Sequence, residues 1–316
     1  MQKSVEELFS TLMQKADEWK DVLMPGYTHQ QVAMPSSFGM WLSAYAEALA
    51  DDMLMLQAAY KLVNTNPLGS GAGYGSSVPL NRTMTTRLLG FDDLAYNSMY
   101  AQMQRGKTER VVLTAIAAIA ATVGRLAQDV CLYSCANFGF VKLPDAFTTG
   151  SSIMPHKKNP DIFELTRAKC NRMQALPMEV TLVATNLPSG YFRDMQLTKE
   201  IYVPAFKEIT DVVRMAKAGI EQMWINRDIL ANDIYKYLFT VEDVNDAVAK
   251  GVPFRDAYRE VGMRVQNGTY EHDGRELNHT HEGSIGNLCL ENIRQKFERN
   301  RIDFAPAMAA EEELMR

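Results

Sequence analysis

Between Ser36 and Val63 the chain reads SSFGMWLSAYAEALADDMLMLQAAYKLV, a run rich in Ala, Leu and Met and free of proline. At about 1.5 Å per residue, a helix over this run is a rod of roughly 40 Å. A rod of that length in a globular protein buries its apolar stripe against other rods, so the run predicts a helical bundle. Ser36 and Ser37 stand where N-cap residues are preferred. Other segments extend the pattern. Val5, Leu8, Phe9, Leu12 and Met13 share one helical face over residues 4–22, continued by Trp19 and Val22. A second long helix is expected from about Gly106 to Ala136, a third from near Pro160 to Thr185, and a fourth from Leu197 to Trp224. Strand-like alternation is almost absent, so the fold class is all-α.

Residues 1–225 are expected to form the long-helix bundle with its functional loops. From Asn226 onward shorter helical patterns are separated by Gly251-Val252-Pro253, Asn267-Gly268 and the polar stretch EHDGRELNHTHEGS, which predicts a smaller helical C-terminal domain over 226–316. Two breaks interrupt the first part. Pro25 and Gly26 in MPGY end the first helix and lead into a polar loop, THQQ, while NPLGSGAGYGSS at 66–77 reads as a glycine-serine turn between helices. It lacks the lysine of a phosphate-binding loop, and no strand precedes it.

The formal net charge of −5 disfavours nucleic acid or an anionic membrane as a partner, and an anionic substrate then needs local positive charge. The opening MQKSVEELFSTL carries acids where a signal peptide has an apolar core, and no stretch is read as approaching the ~20 apolar residues of a membrane span. A cytoplasmic location is the expectation. Cys131, Cys135, Cys170 and Cys289 form no CxxC pair and read as reduced thiols. His272, His279 and His281 invite a metal reading, but neither a neighbouring cysteine nor HExxH spacing supports one, and no metal is expected.

Chemistry concentrates in PDAFTTGSSIMPHKKNPD at 144–161. A glycine followed by Ser151 and Ser152 leaves backbone N–H groups free, and a helix starting near Pro160 adds the positive end of its dipole, so the loop suits an anion. Lys157 and Asn159 add donors. The matching reaction removes a proton beside a carboxylate, with the carbanion held by preorganised donors. Ser151 is the candidate base, which requires lysine and amides to stabilise its ionised form. The alternative is a plain helix-capping turn with solvated lysines.

MPGYTH at 24–29 places Thr28 and His29 before the long helix, with Gln31 close behind. His29 is the candidate acid, Thr28 a carboxylate donor, and Glu164 a partner for the second ring nitrogen of His29. YFRDMQLTKE at 191–200 offers Tyr191, Arg193, Gln196 and Lys199 to a second polar part of a substrate; a solvated helix start is the alternative.

Together these motifs resemble the fumarase/aspartase superfamily, whose GSSxMPxKxN signature matches Gly150 to Asn159. Within it, MPGYTH, the LPDAFTTGSS run and YxRDxQxxKE are most similar to the argininosuccinate lyases. The resemblance implies reversible β-elimination of argininosuccinate to arginine and fumarate without a cofactor, in a homotetramer whose active sites are shared among subunits. It implies catalytic roles for Ser151, His29, Lys157 and Glu164, and substrate contacts from Thr28, Gln31, Arg105, Ser152, Asn159, Tyr191, Gln196 and Lys199. MQRG stands around Arg105 where the family has SDRD, and Leu80-Asn81-Arg82 stands where it often has xDR. Such enzymes also carry an N-terminal SRND-type motif; this chain starts after it, so that part is expected to be missing. Another fumarate-releasing lyase and a catalytically silent helical scaffold are the competing expectations.

Overall fold

The computed structural model describes residues 1–272, 277 and 279–315. Part of the polar stretch at 271–284 therefore lies outside the described residues. In chain order the elements are α1 (Gln2–Glu18), β1 (Leu23–Thr28), β2 (Gln31–Ser37), α2 (Phe38–Val63), β3 (Thr65–Asn66), α3 (Arg82–Leu88), β4 (Asp93–Leu94), α4 (Ser98–Met103), α5 (Lys107–Tyr133) and β5 (Val141–Lys142). They continue with α6 (Asp161–Met173), α7 (Leu176–Val183), α8 (Thr198–Gln222), β6 (Trp224–Ile225), α9 (Thr240–Ala249), α10 (Phe254–Gln266), α11 (Leu290–Arg299) and α12 (Ala305–Leu314). The chain is mostly helical, as its periodicity predicts.

The rods form where the sequence places them. Ser37 caps α2 by accepting a hydrogen bond from the Met40 amide at 3.0 Å. α1 turns Val5, Leu8, Phe9, Leu12, Met13 and Ala16 inward against α2. Their ends nearly touch: a Cβ on Gly39 would lie 2.5 Å from the Ala16 carbonyl oxygen and from Lys20 Cα, so only glycine fits this crossing. α5 is the central rod, packed against α2, α6, α7 and α8.

Three expectations change. α5 is long and apolar enough to cross a membrane by length and composition, contrary to the expectation that no stretch comes near; half of its apolar window is buried inside the protein. The helix expected from Pro160 to Thr185 is two, α6 and α7, because Pro177 has no N–H to give the Met173 carbonyl. The loop expected at MPGYTHQQ is instead a β-hairpin, with β1 antiparallel to β2 and an irregularity between Pro25 and Tyr27. There Gly26 admits the Met34 carbonyl, 2.8 Å from where a Cβ would stand.

Toward the C-terminus, Val244, Ala257, Val261 and Tyr270 form a small second core around α9 and α10. α11 returns to the bundle, where Phe297 stacks on Phe9 at 3.9 Å between centroids and the buried Asn300 donates to the Ala50 carbonyl at 2.7 Å.

Between α2 and α5, Asp52 is buried and accepts a hydrogen bond from Thr122 at 2.6 Å. Burial, with repulsion from Asp51, raises its pKa from 3.8 to about 6 against the opposing effect of the Thr122 bond. The folded state thus binds the Asp52 proton more tightly than the unfolded chain. Its contribution to stability is unpenalised below pH 4 and falls as pH rises through about 4 to 6. The shift from 3.8 to about 6 corresponds to at most about 3 kcal/mol. Asp52→Asn keeps an acceptor for Thr122 and should therefore unfold at a higher temperature than the parent above pH 6, with no gain near pH 4. Melting curves across that range check it; a pH-independent difference would refute the assignment.

Candidate active site

The loop carrying Ser151 is held between two buried aromatic anchors, Phe147 before it and Phe163 after it. Phe163 enters the core because position 219 is glycine: a Cβ there would meet the ring at 2.5 Å. The neck is a short antiparallel bridge, with the Thr149 amide donating to the Asn159 carbonyl at 3.1 Å and the Asn159 amide donating back at 2.8 Å. Beyond the neck the loop projects into solvent. Ile153 is 82% exposed, and Ser152, Met154 and Lys157 are exposed too.

Ser151 Oγ accepts hydrogen bonds from the Ile153 amide at 3.3 Å and the Met154 amide at 3.1 Å. Two amides aimed at one oxygen favour its anionic form, the condition a serine base requires. The Lys157 amide donates to the Met154 carbonyl at 3.0 Å, closing the turn between them. Lys158 pairs with Asp145 at 3.0 Å, but both side chains are well solvated and the pair adds little. The helix N-terminus behind the loop is less electropositive than the sequence suggests, since α6 carries Asp161 and Glu164 in its first turn.

Thr28 and Gln31 pair across the hairpin, and His29 and Gln30 form its two-residue tip with φ of 52° and 59°. Left-handed conformations at two successive non-glycine residues cost energy, and such strain concentrates at functional sites. The tip exposes His29. The hairpin is fixed by Tyr27, whose ring meets Phe138 edge-on at 5.4 Å, just beyond the end of α5. Glu164 belongs to the same end of the bundle: its charge, with that of Arg167, reaches Cys131 in the last turn of α5, where burial pushes the thiol up to about 11. Among the hydrogen bonds of the described residues, none joins Glu164 to His29 within one copy.

Tyr191, Gln196 and Lys199 lie elsewhere. Gln196 donates to the Tyr191 hydroxyl at 2.8 Å, and Lys199 is exposed at the start of α8. Arg105, expected to contact substrate, is engaged within the chain: Nε meets Glu109 at 2.9 Å and Nη2 donates to the Met195 carbonyl at 2.9 Å. Glu109 was not singled out from sequence, although an acid three residues after the cap is a readable signal. Its carboxylate also accepts from the Gly106 amide at 2.7 Å and Thr108 at 2.9 Å. Burial opposes its ionisation, yet these bonds hold its pKa below the usual value. The glycine-serine loop joins this end as well, since a Cβ on Gly190 would sit 3.2 Å from the Tyr74 hydroxyl and the Ser70 hydroxyl accepts from Gln102 at 3.1 Å.

The expected residues thus fall into two groups at opposite ends of α5, separated by its length of about 40 Å. Ser151, Lys157, Asn159, Glu164, Thr28 and His29 occupy one end. Arg105, Tyr191, Gln196 and Lys199 occupy the other.

The family described as Lyase matches residues 1–175. The chain belongs to this lyase family of the fumarase/aspartase superfamily. Argininosuccinate lyase of Bacteroides fragilis is 58% identical over 297 residues, 94% of this chain and 66% of that protein. Argininosuccinate lyase of Parabacteroides distasonis is 60% identical over 289 residues, 92% of this chain and 65% of that protein. The lyase-family chain therefore spans just under two thirds of the length of these curated relatives. In fold it is similar to the crystal structure of EDDS lyase in complex with formate, with a TM-score of 0.82 at 20% identity over 98% of this chain and 70% of that one.

The three histidines near the C-terminus find separate partners. His279 Nε2 lies 3.0 Å from Glu242, His281 Nδ1 lies 3.1 Å from the Glu282 carbonyl, and His272 stacks on Phe239 at 4.1 Å. Among the described residues, no three His, Cys, Asp or Glu side chains gather to hold a metal ion.

Proposed function

We propose that this lyase-family chain acts as an argininosuccinate lyase, cleaving argininosuccinate to arginine and fumarate. The observation that carries the reading is Ser151, with its oxygen seated on two amides in the same loop as Lys157 and Asn159. Ser151 in its ionised form takes the succinyl proton. The electron pair left behind spreads onto the neighbouring carboxylate, where Lys157 and Asn159 hold the charge, and then forms the carbon–carbon double bond as the carbon–nitrogen bond breaks. His29, oriented by Glu164, returns a proton to the departing guanidine nitrogen. Thr28, Gln31 and Ser152 bind the succinyl part, and Tyr191, Gln196 and Lys199 bind the remainder. The elimination is redox-neutral, and its base, acid and carboxylate donors are all groups of this chain, so the proposal names no cofactor.

The separation of the two groups along α5 supports a shared site, completed where opposite ends of different copies meet in a homotetramer. A cytoplasmic location belongs to the same proposal. Fumarate absorbs in the ultraviolet, and its release from argininosuccinate by the purified chain tests the reading. The departures at MQRG and Leu80-Asn81-Arg82, where both arginines bind carbonyls of their own chain, favour a second reading: another fumarate-releasing lyase. Signal from another N-substituted aspartate, and none from argininosuccinate, would select it. Silence with every adduct would leave a helical scaffold, or a chain active only together with the remaining third of its relatives' length.

A further inference from the structure

We propose that Thr149 and Asp161 are positioning residues that latch the neck of the Ser151 loop and park the Asn159 amide away from substrate. The inference rests on the lyase reading for its catalytic consequence, but the latch itself is a matter of geometry. Asn159 Nδ2 donates to Thr149 Oγ1 at 3.4 Å, and Thr149 Oγ1 donates in turn to the Asp161 carboxylate. The three side chains form one directed chain laid beside the two backbone bonds of the neck. Direction matters. Because the only hydrogen of the Thr149 hydroxyl goes to Asp161, its lone pairs face the Asn159 amide, and that amide is held on the neck rather than pointed at the loop's interior.

Each side of the neck is anchored differently. Phe147 and Phe163 fix the approaches in the core, whereas Gly150 has open space around it and the residues beyond are exposed. Little besides the neck therefore determines where residues 151–157 stand. The donor that the elimination needs at a carboxylate is the same Asn159 amide that closes the latch. A substrate carboxylate is a better acceptor than a threonine hydroxyl, since a bond to an ionised group is roughly twice as strong as a neutral one. Arrival of the carboxylate draws Asn159 from Thr149, and the Thr149–Asp161 bond keeps the neck closed while it moves. The latch thereby places Ser151 and Lys157 without touching the reacting atoms.

The test compares Thr149→Val, which keeps the shape and loses the hydroxyl, with Thr149→Ser, which keeps the hydroxyl. Hydrogen exchange at the Thr149 and Asn159 amides reads the latch, and kcat for fumarate release reads positioning. Thr149→Val removes both bonds of the hydroxyl, the one from Asn159 and the one to Asp161, and is expected to speed exchange at both amides about fivefold or more, the net worth of one to two modest exposed hydrogen bonds. It is also expected to lower kcat about tenfold to a hundredfold, the cost of a displaced catalytic group, with a smaller change in KM. Thr149→Ser should restore both. Parental exchange or parental kcat in Thr149→Val overturns the proposal, and so does a Thr149→Ser variant as impaired as the valine one. If exchange responds as expected while the parent chain releases no fumarate from any adduct, alone or together with the part of its relatives that it does not span, the lyase reading fails and the latch stands.

Discussion

Ser151→Ala should reduce fumarate release by about 10²–10⁴-fold, the usual contribution of a general base, while leaving the fold intact. The separation of the two effects follows from where Ser151 lies. Among the described residues its hydroxyl bonds to the Ile153 and Met154 amides of its own exposed loop and to no side chain of the core. Its removal should move the melting temperature little and leave the far-ultraviolet circular dichroism of the bundle unchanged. Ser151→Cys extends the test, because a thiol ionises more readily than a hydroxyl and accepts hydrogen bonds from amides more weakly. A base role predicts partial activity with an altered pH profile. Fumarate absorbance across pH, with the alanine variant alongside, measures both. Turnover by Ser151→Ala at the parental rate would remove serine from the chemistry.

The bundle was legible because its rods carry redundant signals. Ser37 as cap, the apolar stripe of α1 and the unbroken run of α2 each point to the same structure. The hairpin was not legible. Met-Pro-Gly-Tyr contains two strong breakers, and the structure uses both: buried Pro25 sits in a strand at an irregular position, and Gly26 admits a carbonyl from β2. Local preference reads such a segment as a turn; in the fold it pairs as strands, and Tyr27 seats the hairpin on Phe138 and Phe140, contacts distant in sequence. α5 was underestimated as an apolar element for a related reason. Burial at the centre of a bundle demands nearly the composition that a membrane demands; of the charged positions in α5, Lys107, Arg110 and Arg125 are exposed, while Glu109 and Asp129 are partly buried and hydrogen-bonded within the protein.

Of the site, residue types were legible and distances were not. The loop signature names Ser151, Lys157 and Asn159 because the amides and donors it brings together are neighbours in sequence. Arg105 could not be placed that way. Its partners are Glu109 one turn on and the Met195 carbonyl far along the chain, and that second contact exists only because α8 begins beside the start of α5.

The same geometry leads to an expectation about mixtures. Take one chain carrying Ser151→Ala and another carrying Gln196→Ala with Lys199→Ala. Each alone should be nearly inactive, the second through loss of a neutral and a charged hydrogen bond, about a hundredfold or more. The lesions lie at opposite ends of α5. If every site takes its Ser151 from one copy and its Lys199 from another, random assembly of the two variants in equal amounts leaves about one site in four with both groups native. Co-expressed or jointly refolded variants should therefore recover about a quarter of parental turnover. Physical mixing without subunit exchange should recover none. Were both groups supplied by a single copy, unmodified chains would be absent from the mixture and every site would keep one lesion, so activity would stay at the level of the weaker variant. Native mass spectrometry of the same sample makes the result decisive: hybrid oligomers without recovered turnover mean that the two ends of α5 do not meet across copies to form the site.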